Sequence, residues 1–362
     1  MENKTVIPFN GLARQYKNLK EEILEATDLV YGSGRMLDGP YTYEFEKAMS
    51  LRTDRRYAVA VNSCSMALLI CYVFFAATQG KKNVAIPSYS FVATSNAPDL
   101  AGWQRHFIDV DGNGLMDIDE LDAHKLDISL LSYVNLYGNV LDYDKLKVVT
   151  SFFHNIPILE DAAQSFGASY KGVPSGKLGD ASCLSFDPTK NLPNYGSGGM
   201  VLTDNQALFM FAMNFRDNGK MSGLRENGSN TKMSETDCAQ MLIKLRYFDQ
   251  WQERRAKIAQ FYTDCLDGVF AECPKSNPDV VHAWHKYVIL LADRDALKDY
   301  LDEKGIETKT FSYILQNTAV YPGASHLNQC SLGLPIYPEM SDAEVETVVG
   351  HIQKFFKSYT NP

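Results

Sequence analysis

Residues Ile158–Asp204 of this 362-residue chain read ILEDAAQSFGASYKGVPSGKLGDASCLSFDPTKNLPNYGSGGMVLTD. Ile158 and Leu159 end a short apolar run, so we expect Asp161 to stand at the carboxyl edge of a buried strand. Open α/β sheets bind their ligands at that edge. Because a carboxylate buried there needs a cationic partner, the segment predicts a ligand site on an α/β fold.

A lysine follows the next predicted strand. The apolar run 181–186 predicts that strand, and Asp187-Pro188 ends it just before Lys190. Taken alone, Lys190 would be a solvated surface charge and Asp161 a helix N-cap. Together they are the two groups that pyridoxal phosphate requires of a protein, because its pyridinium is held by a carboxylate and its aldehyde forms an imine with a lysine. The pair therefore favours a site for this cofactor.

The order of motifs resembles the DegT/DnrJ family of sugar aminotransferases, which are fold-type I pyridoxal-phosphate enzymes acting on nucleotide-linked keto sugars. Three matches carry the resemblance: EDAAQ at 160–164, GD-x-x-x-x-SF at 179–186 and PTKNL at 188–192. Further segments look like family segments in the same order, namely those at 38–50, 58–70, 86–97, 216–219, 228–235 and 245–262. The resemblance thus covers nearly the whole chain.

The resemblance implies an α/β architecture of fold-type I with two domains. Residues 1–240 would form a large cofactor-binding domain, including the N-terminal segment, around a mostly parallel sheet covered by helices. Residues 241–362 would supply a connecting helix and a small C-terminal α+β domain. Strand and helix patterns alternate through about residue 240, which independently favours a largely parallel sheet.

A role for each site residue also follows from the resemblance. Lys190 would form the Schiff base and act as the general base, and Asp161 would keep the pyridine nitrogen protonated. Further cofactor contacts would come from Gln164, Ser185, Cys64, Ser65, Phe91 and, across a dimer interface, Asn230. Ser63-Cys64-Ser65 precede a predicted helix, whose N-terminal amides suit a phosphate.

The reaction implied by the resemblance is transfer of an amino group, with L-glutamate as donor, to a nucleotide-linked keto-deoxysugar. A homodimer with two shared active sites is implied as well. One branch of the family has histidine at the position of Lys190 and removes a hydroxyl, so the lysine favours transamination over sugar dehydration, which remains an alternative. Cys64 stands where glycine is usual and Lys232 where arginine is common, so contacts there are expected to differ.

Composition excludes several other classes. The net charge of −9, from 35 basic and 44 acidic residues, argues against a nucleic-acid partner. Seven scattered cysteines without C-x-x-C spacing indicate neither a disulfide framework nor a zinc site, and they favour a reducing cytoplasm. The apolar run 67–77 is far shorter than the ~20 residues that a membrane-spanning helix needs. We therefore predict a cytoplasmic protein without a membrane partner.

A second motif competes with the cofactor site. DVDGNGLMDIDE at Asp109–Glu120 satisfies the calcium-loop pattern D-x-[DN]-x-[DN]-G-x5-E. Its surroundings lack a long entering helix and a paired second loop, which favours a solvated turn. A non-catalytic calcium-binding or sensory protein on the same fold remains an alternative. His282 and His285 are predicted to pack on opposite faces of a strand.

Overall fold

The computed structural model of the chain describes residues 6–80, 82–122, 126–221, 228–316 and 318–360. Its strands are β1 (Tyr57–Val61), β2 (Asn83–Pro87), β3 (Gln104–Ile108), β4 (Leu130–Val134), β5 (Ile158–Asp161), β6 (Ser169–Tyr170), β7 (Val173–Pro174), β8 (Ala181–Ser185), β9 (Gly199–Thr203), β10 (Val280–Val281), β11 (Tyr287–Leu290) and β12 (Ser331–Leu334). Its helices are α1 (Leu12–Ser33), α2 (Pro40–Arg52), α3 (Cys64–Thr78), α4 (Ala93–Leu100), α5 (Tyr143–Ser151), α6 (Gln206–Arg216), α7 (Glu235–Leu266), α8 (Arg294–Glu303), α9 (Pro322–Cys330) and α10 (Asp342–Thr360).

The central sheet has seven strands in the order β1-β9-β8-β5-β4-β2-β3. The run from β3 to β8 is parallel, whereas β9 pairs antiparallel with both β8 and β1. The mostly parallel α/β sheet expected from the sequence is therefore confirmed. Because β1, β4, β5 and β8 all point the same way, the residues that follow them meet at one edge of the sheet.

Helices cover both faces of this sheet. Alternate residues of β1 divide between two cores: Val59 and Val61 pack under α3, while Ala58 and Ala60 pack with residues of α2 and α7. Each face of the sheet therefore excludes water, which explains why its strands read as continuous apolar runs instead of alternating ones.

Helix α7 links the sheet to the C-terminal part of the chain. Ser234 caps its start by accepting a hydrogen bond from the Asp237 amide at 3.0 Å. Glu235 is buried and accepts hydrogen bonds from the amides of Gly39 and Thr42, which are among the first unsatisfied donors of α2. The predicted domain boundary at residue 240 thus lies inside one continuous 32-residue helix.

The C-terminal part contains a second apolar core. Strands β11 and β12 pair antiparallel, and residues of α7, α8 and α10 pack around them. Ile7 joins this core and bridges to Ile306, although the sequence prediction placed the N-terminal segment with the large domain. Within the described ranges, no helix combines the length and apolar character needed to cross a membrane.

Candidate active site

A cavity of about 440 Å³ opens at the carboxyl edge of the central sheet. Seven of the eight predicted site residues line it, namely Lys190, Asp161, Gln164, Ser185, Cys64, Ser65 and Phe91. They come from β5, β8, the start of α3 and the loops beside them. The parallel topology brings these distant segments together, because every contributing strand ends at the same edge.

Asp161 ends β5 and is 4% exposed. Its Oδ2 accepts a hydrogen bond from Thr94 Oγ1 at 3.0 Å, and its Oδ1 accepts one from the Ala163 amide at 3.1 Å. Burial raises the pKa of Asp161, while these two bonds and the charge of Lys190 oppose the rise. Asp161 forms no ion pair with any described residue. A bound cation such as a protonated pyridine nitrogen would therefore pair with this buried carboxylate.

Thr94 was not among the residues predicted from the sequence. It is buried in the first turn of α4, and its Oγ1 also lies 2.9 Å from Ser90 Oγ. Ser90 and Thr94 thereby fix the orientation of the Asp161 carboxylate. A signal for Thr94 existed, since it lies within the segment 86–97 that resembles the family.

Lys190 lies in the turn after β8, where its amide donates to the Asp187 carbonyl at 2.9 Å. Burial lowers the pKa of Lys190, while Cys64, Asp161 and Asp187 oppose the change. A lower pKa raises the fraction of uncharged amine near neutral pH, and the uncharged amine is the nucleophilic form. Burial thus favours the uncharged, nucleophilic form of the Lys190 amine.

The start of α3 forms one wall of the cavity, where the backbone amides of the first helical turn suit an anion. Ser63 caps the helix by accepting a hydrogen bond from the Met66 amide at 3.2 Å. A side chain at Gly199 would come within 2.3–2.5 Å of the Ser63 and Cys64 backbone, so glycine permits this turn to lie against β9. Cys64 itself packs into the apolar core under α3. Exposed Ser65 and, from the end of β8, Ser185 add hydroxyls to the cavity wall.

Gln164 and His285 link the cavity to the turn that carries Lys190. Gln164 Oε1 accepts from the Tyr137 amide at 3.0 Å and lies 3.2 Å from His285 Nδ1. His285 Nε2 is 3.1 Å from the Thr189 carbonyl, which can only accept, so this nitrogen donates. The prediction that His285 packs within a strand is wrong, because β11 begins only at Tyr287 and His285 lines the cavity.

Aromatic rings border the opening. Phe91 is 51% exposed, and its ring lies edge-on to Tyr313 with centroids 6.3 Å apart. An exposed ring at a cavity mouth can stack on a planar ligand. Tyr313 and Lys286 also line the cavity, but neither lies in one of the motifs that resemble the family.

Asn230 does not reach this cavity within the single chain. It is exposed and bridges to Asp217, and its Oδ1 accepts from Lys232 Nζ at 3.3 Å. Its predicted contact across a dimer interface therefore stays a prediction.

The Asp109–Glu120 loop uses its carboxylates within the protein. Asp109 is buried and accepts from the amides of Gly323 and Ala324 at 2.8 and 3.0 Å, at the start of α9. Glu120 Oε2 accepts from the Asp109 amide at 3.0 Å. Among the described residues, no group of three or more metal-ligating side chains occurs. The loop thus anchors α9 through Asp109.

Comparison with known proteins gives concordant results. Residues 17–353 match the sequence model of the DegT/DnrJ/EryC1/StrS aminotransferase family. The chain is 30% identical to the dTDP-3-amino-3,4,6-trideoxy-alpha-D-glucose transaminase of Streptomyces venezuelae, over 90% of this chain and 85% of that protein. It is 29% identical to the pleiotropic regulatory protein of Geobacillus stearothermophilus, over 98% and 99% of the two chains. The crystal structure of a DegT DnrJ EryC1 StrS aminotransferase from Brucella abortus superposes with a TM-score of 0.90 at 26% identity, over 96% of this chain and 99% of that one.

Proposed function

Because the chain belongs to the DegT/DnrJ/EryC1/StrS aminotransferase family, whose members are pyridoxal-phosphate-dependent sugar aminotransferases, we propose that it aminates a nucleotide-linked keto-deoxysugar with L-glutamate as donor. One observation carries the proposal. A buried carboxylate without an ion-pair partner, Asp161, and a lysine with a lowered pKa, Lys190, line the same cavity at the carboxyl edge of the sheet.

The residues of the cavity suit each part of the cofactor. Asp161 would hold a proton at the pyridine nitrogen, and Phe91 would pack on a face of the ring. Ser65, Ser185 and the amides at the start of α3 would bind the phosphate. Gln164, fixed by the Tyr137 amide, would lie near the phenolic oxygen. When bound, pyridoxal phosphate supplies an electron sink that stabilises negative charge at the amino-bearing carbon.

Lys190 would move the proton in both half-reactions. Its amine takes a proton from the amino-bearing carbon of the donor, and it later returns one to the carbon of the sugar that gains the amine. Donor and acceptor therefore occupy the same cavity in turn, which gives ping-pong kinetics. Because the cavity must first release 2-oxoglutarate, the two substrates never need to be bound together.

The active unit would be a homodimer in the cytoplasm. Asn230 is exposed and does not line its own cavity, so we assign the partner subunit's Asn230 to the phosphate end of each site. All seven cysteines are free, and five of them lie in apolar cores, which suits a reducing compartment. Residues 1–240 and 241–362 would form the two domains, joined through α7.

A regulatory role is the second candidate, because one relative carries the name of a pleiotropic regulatory protein. Such a role needs neither a reactive lysine nor a buried, unpaired carboxylate. In this chain the pKa of Lys190 is lowered and Asp161 forms no ion pair within the described ranges, so catalysis is favoured. Sugar dehydration within the same family is disfavoured because the position of Lys190 holds a lysine.

The absorbance spectrum of the holoenzyme tests the proposal. Adding L-glutamate should move the cofactor band of the wild-type protein to shorter wavelength, and subsequent addition of a nucleotide-linked keto sugar should restore the original band. Lys190→Ala should show neither change. A wild-type spectrum that glutamate leaves unaltered would contradict the proposal, as would an identical shift in the alanine variant.

A further inference from the structure

Lys286 is a buried cation on the wall of the active-site cavity that the proposed roles leave unused. It is 7% exposed and lies just before β11, where its amide donates to the Tyr137 carbonyl at 3.1 Å. Its Nζ lies 4.8 Å from the centroid of the Phe9 ring. Across the described ranges, this ammonium group forms no ion pair and no side-chain hydrogen bond.

The surroundings of Lys286 favour an anion. Burial lowers the pKa of Lys286, and the charges of Arg255, Lys190 and Lys309 lower it further, whereas Asp187 opposes them. Asp187 Oδ1 accepts hydrogen bonds from the amide and the hydroxyl of Thr189 at 3.0 and 2.8 Å, and Asp187 forms no ion pair with Lys286 among the described residues. A buried ammonium among other cations is costly until an anion pairs with it.

We propose that Lys286 binds a carboxylate of the amino donor, an inference that rests on the proposed transamination. The donor must bring its amino-bearing carbon to Lys190, and its α-carboxylate is bonded to that carbon. Lys190 and Lys286 line the same cavity, so the carboxylate enters the space that Lys286 borders. A carboxylate is also small enough to reach a side chain that is almost completely buried.

Two other anions fit this position less well. The cofactor phosphate has its own donors at Ser65, Ser185 and the start of α3. The diphosphate of a nucleotide-linked sugar is attached to a bulky nucleotide, which has to remain at the cavity mouth near exposed Phe91. Lys286 is only 7% exposed, in contrast to Phe91.

The Phe9 ring explains how one cavity can accept both substrates. A keto sugar presents hydroxyl groups instead of a carboxylate, so the ammonium group of Lys286 needs another neighbour when the sugar is bound. The 4.8 Å distance to the Phe9 centroid is that of a cation–π contact. Because lysine has a flexible four-carbon stem, its Nζ can move between the ring and the donor carboxylate.

The test uses holoenzyme with Lys286→Met, which removes the charge and leaves an unbranched apolar side chain one heavy atom shorter. Lys304→Met is the matched control, because Lys304 lies over the Tyr300 ring at 5.1 Å but outside the cavity. Two quantities are measured: the dissociation constant of glutarate, an unreactive dicarboxylate, by calorimetry, and the glutamate dependence of the single-turnover absorbance change. Loss of a charged hydrogen bond should raise both constants about 10- to 100-fold in Lys286→Met and leave them unchanged in Lys304→Met.

Lys286→Arg separates charge from packing. It retains the positive charge, so glutarate should bind this variant more tightly than Lys286→Met. Glutarate binding that is equally weak in both variants would mean that packing was lost, and it would overturn the proposal. Unchanged glutarate binding in Lys286→Met would overturn it directly.

The outcomes also distinguish this inference from the proposed function. A rise confined to the KM of the nucleotide-linked sugar in Lys286→Met would assign Lys286 to the diphosphate and overturn the carboxylate assignment. A wild-type holoenzyme that does not react with glutamate would overturn the transamination with glutamate itself. A wild-type enzyme that reacts normally, together with a variant that reacts equally well, would overturn only the role of Lys286.

Discussion

Glu160 and Asp161 are consecutive residues of β5, and both are buried carboxylates, but their surroundings differ. We use the names Glu160 region and Asp161 region for each carboxylate together with the groups that donate hydrogen bonds to it. Glu160 accepts hydrogen bonds from Asn135, Ser175, Gly176, Leu178 and Ser182. Asp161 accepts two hydrogen bonds, from Thr94 and Ala163, although it is nearly as buried. Successive strand residues point to opposite faces, so one carboxylate meets a loop of the chain and the other meets the cavity.

The difference shows how a structural carboxylate can be told from a functional one. Both carboxyl groups have a raised pKa because of burial. In the Glu160 region, hydrogen bonds from the chain's own donors offset the free-energy cost of burying the carboxylate. The Asp161 region leaves acceptor capacity for a ligand. Removing each group should therefore have opposite consequences for stability and activity.

The largest effect is expected for Asp161→Ala. Without the carboxylate, the pyridine nitrogen is no longer held protonated, so turnover should fall about 10³-fold. Steady-state kinetics with glutamate and a nucleotide-linked keto sugar measure the loss. The melting temperature should change little, since only two hydrogen bonds are removed from a residue at the cavity. Turnover within threefold of wild type would show that the two regions do not differ in function.

Glu160→Gln should mainly affect stability. The amide group of glutamine would face donors that now bond a carboxylate oxygen, such as the amides of Gly176 and Leu178. We expect a loss of about 2 kcal/mol in the free energy of unfolding, because buried donors lose their acceptor. Urea denaturation measures this loss. A larger effect on turnover of the folded enzyme than on stability would contradict the structural role.

Two lysines with lowered pKa values extend the comparison to cations. Lys190 lines the cavity, whereas Lys244 is fully buried on α7, donates to the Pro193 carbonyl at 2.6 Å and lies 3.4 Å from the Tyr195 centroid. Burial lowers the pKa of Lys244 from 10.5 to about 7. The folded protein therefore holds fewer protons than the unfolded chain between these values, and this lysine weakens folding as pH falls through that window.

Lys244→Met removes that penalty. Its free energy of unfolding, relative to wild type, should rise by about 1.4 kcal/mol per pH unit as pH falls from 10.5 to about 7. Chemical denaturation of both proteins at several pH values measures the difference, in which other titrating groups cancel. A difference independent of pH would show that Lys244 keeps its proton in the folded state. Turnover at a fixed pH should be unaffected.

The smallest effect is expected for a carboxylate near the surface. Arg14 of α1 donates two hydrogen bonds to Glu344 of α10, and this pairing lowers the pKa of Glu344 from 4.5 to about 2. The stability that it contributes is present above the unfolded pKa and is lost as pH falls from 4.5 towards about 2. Because solvent screens the partly exposed pair, Glu344→Gln should cost only about 0.5–1 kcal/mol at neutral pH. Denaturation at pH 7 and at low pH measures it, and an equal cost at both would contradict the assignment.

Much of the site could be predicted from local sequence. Strand β8 at Ala181–Ser185 agrees with the predicted run 181–186, and Lys190 follows it in a turn as expected. Seven predicted residues line one cavity. These residues lie in short motifs, and each motif directly follows an apolar run that forms a strand. Such runs therefore predict which residues lie at the carboxyl edge of a parallel sheet.

The remaining residues of the site could not be predicted in this way. His285 and Lys286 come from the segment before β11, and Tyr313 comes from a segment that follows α8. Gln164 meets His285 across 121 positions of the chain. The sequence around His285 indicated a strand with two packing histidines, whereas the backbone there is irregular and Trp284 has a φ of 49°.

The sequence by itself determined the class of fold, the cofactor chemistry and the positions of Asp161 and Lys190, because apolar periodicity and short motifs are local properties of a chain. It also produced the Asp109–Glu120 pattern, whose acidic residues satisfy a calcium loop. Only the tertiary structure showed that Asp109 anchors α9 and that Lys286 lines the cavity. It also showed that hydrogen bonds from the chain fill the acceptor capacity of Glu160, whereas Asp161 keeps acceptor capacity for a ligand. The physical reason is that a hydrogen-bond donor or a neighbouring charge acts through space. Which groups become neighbours depends on how the whole sheet and its helices pack.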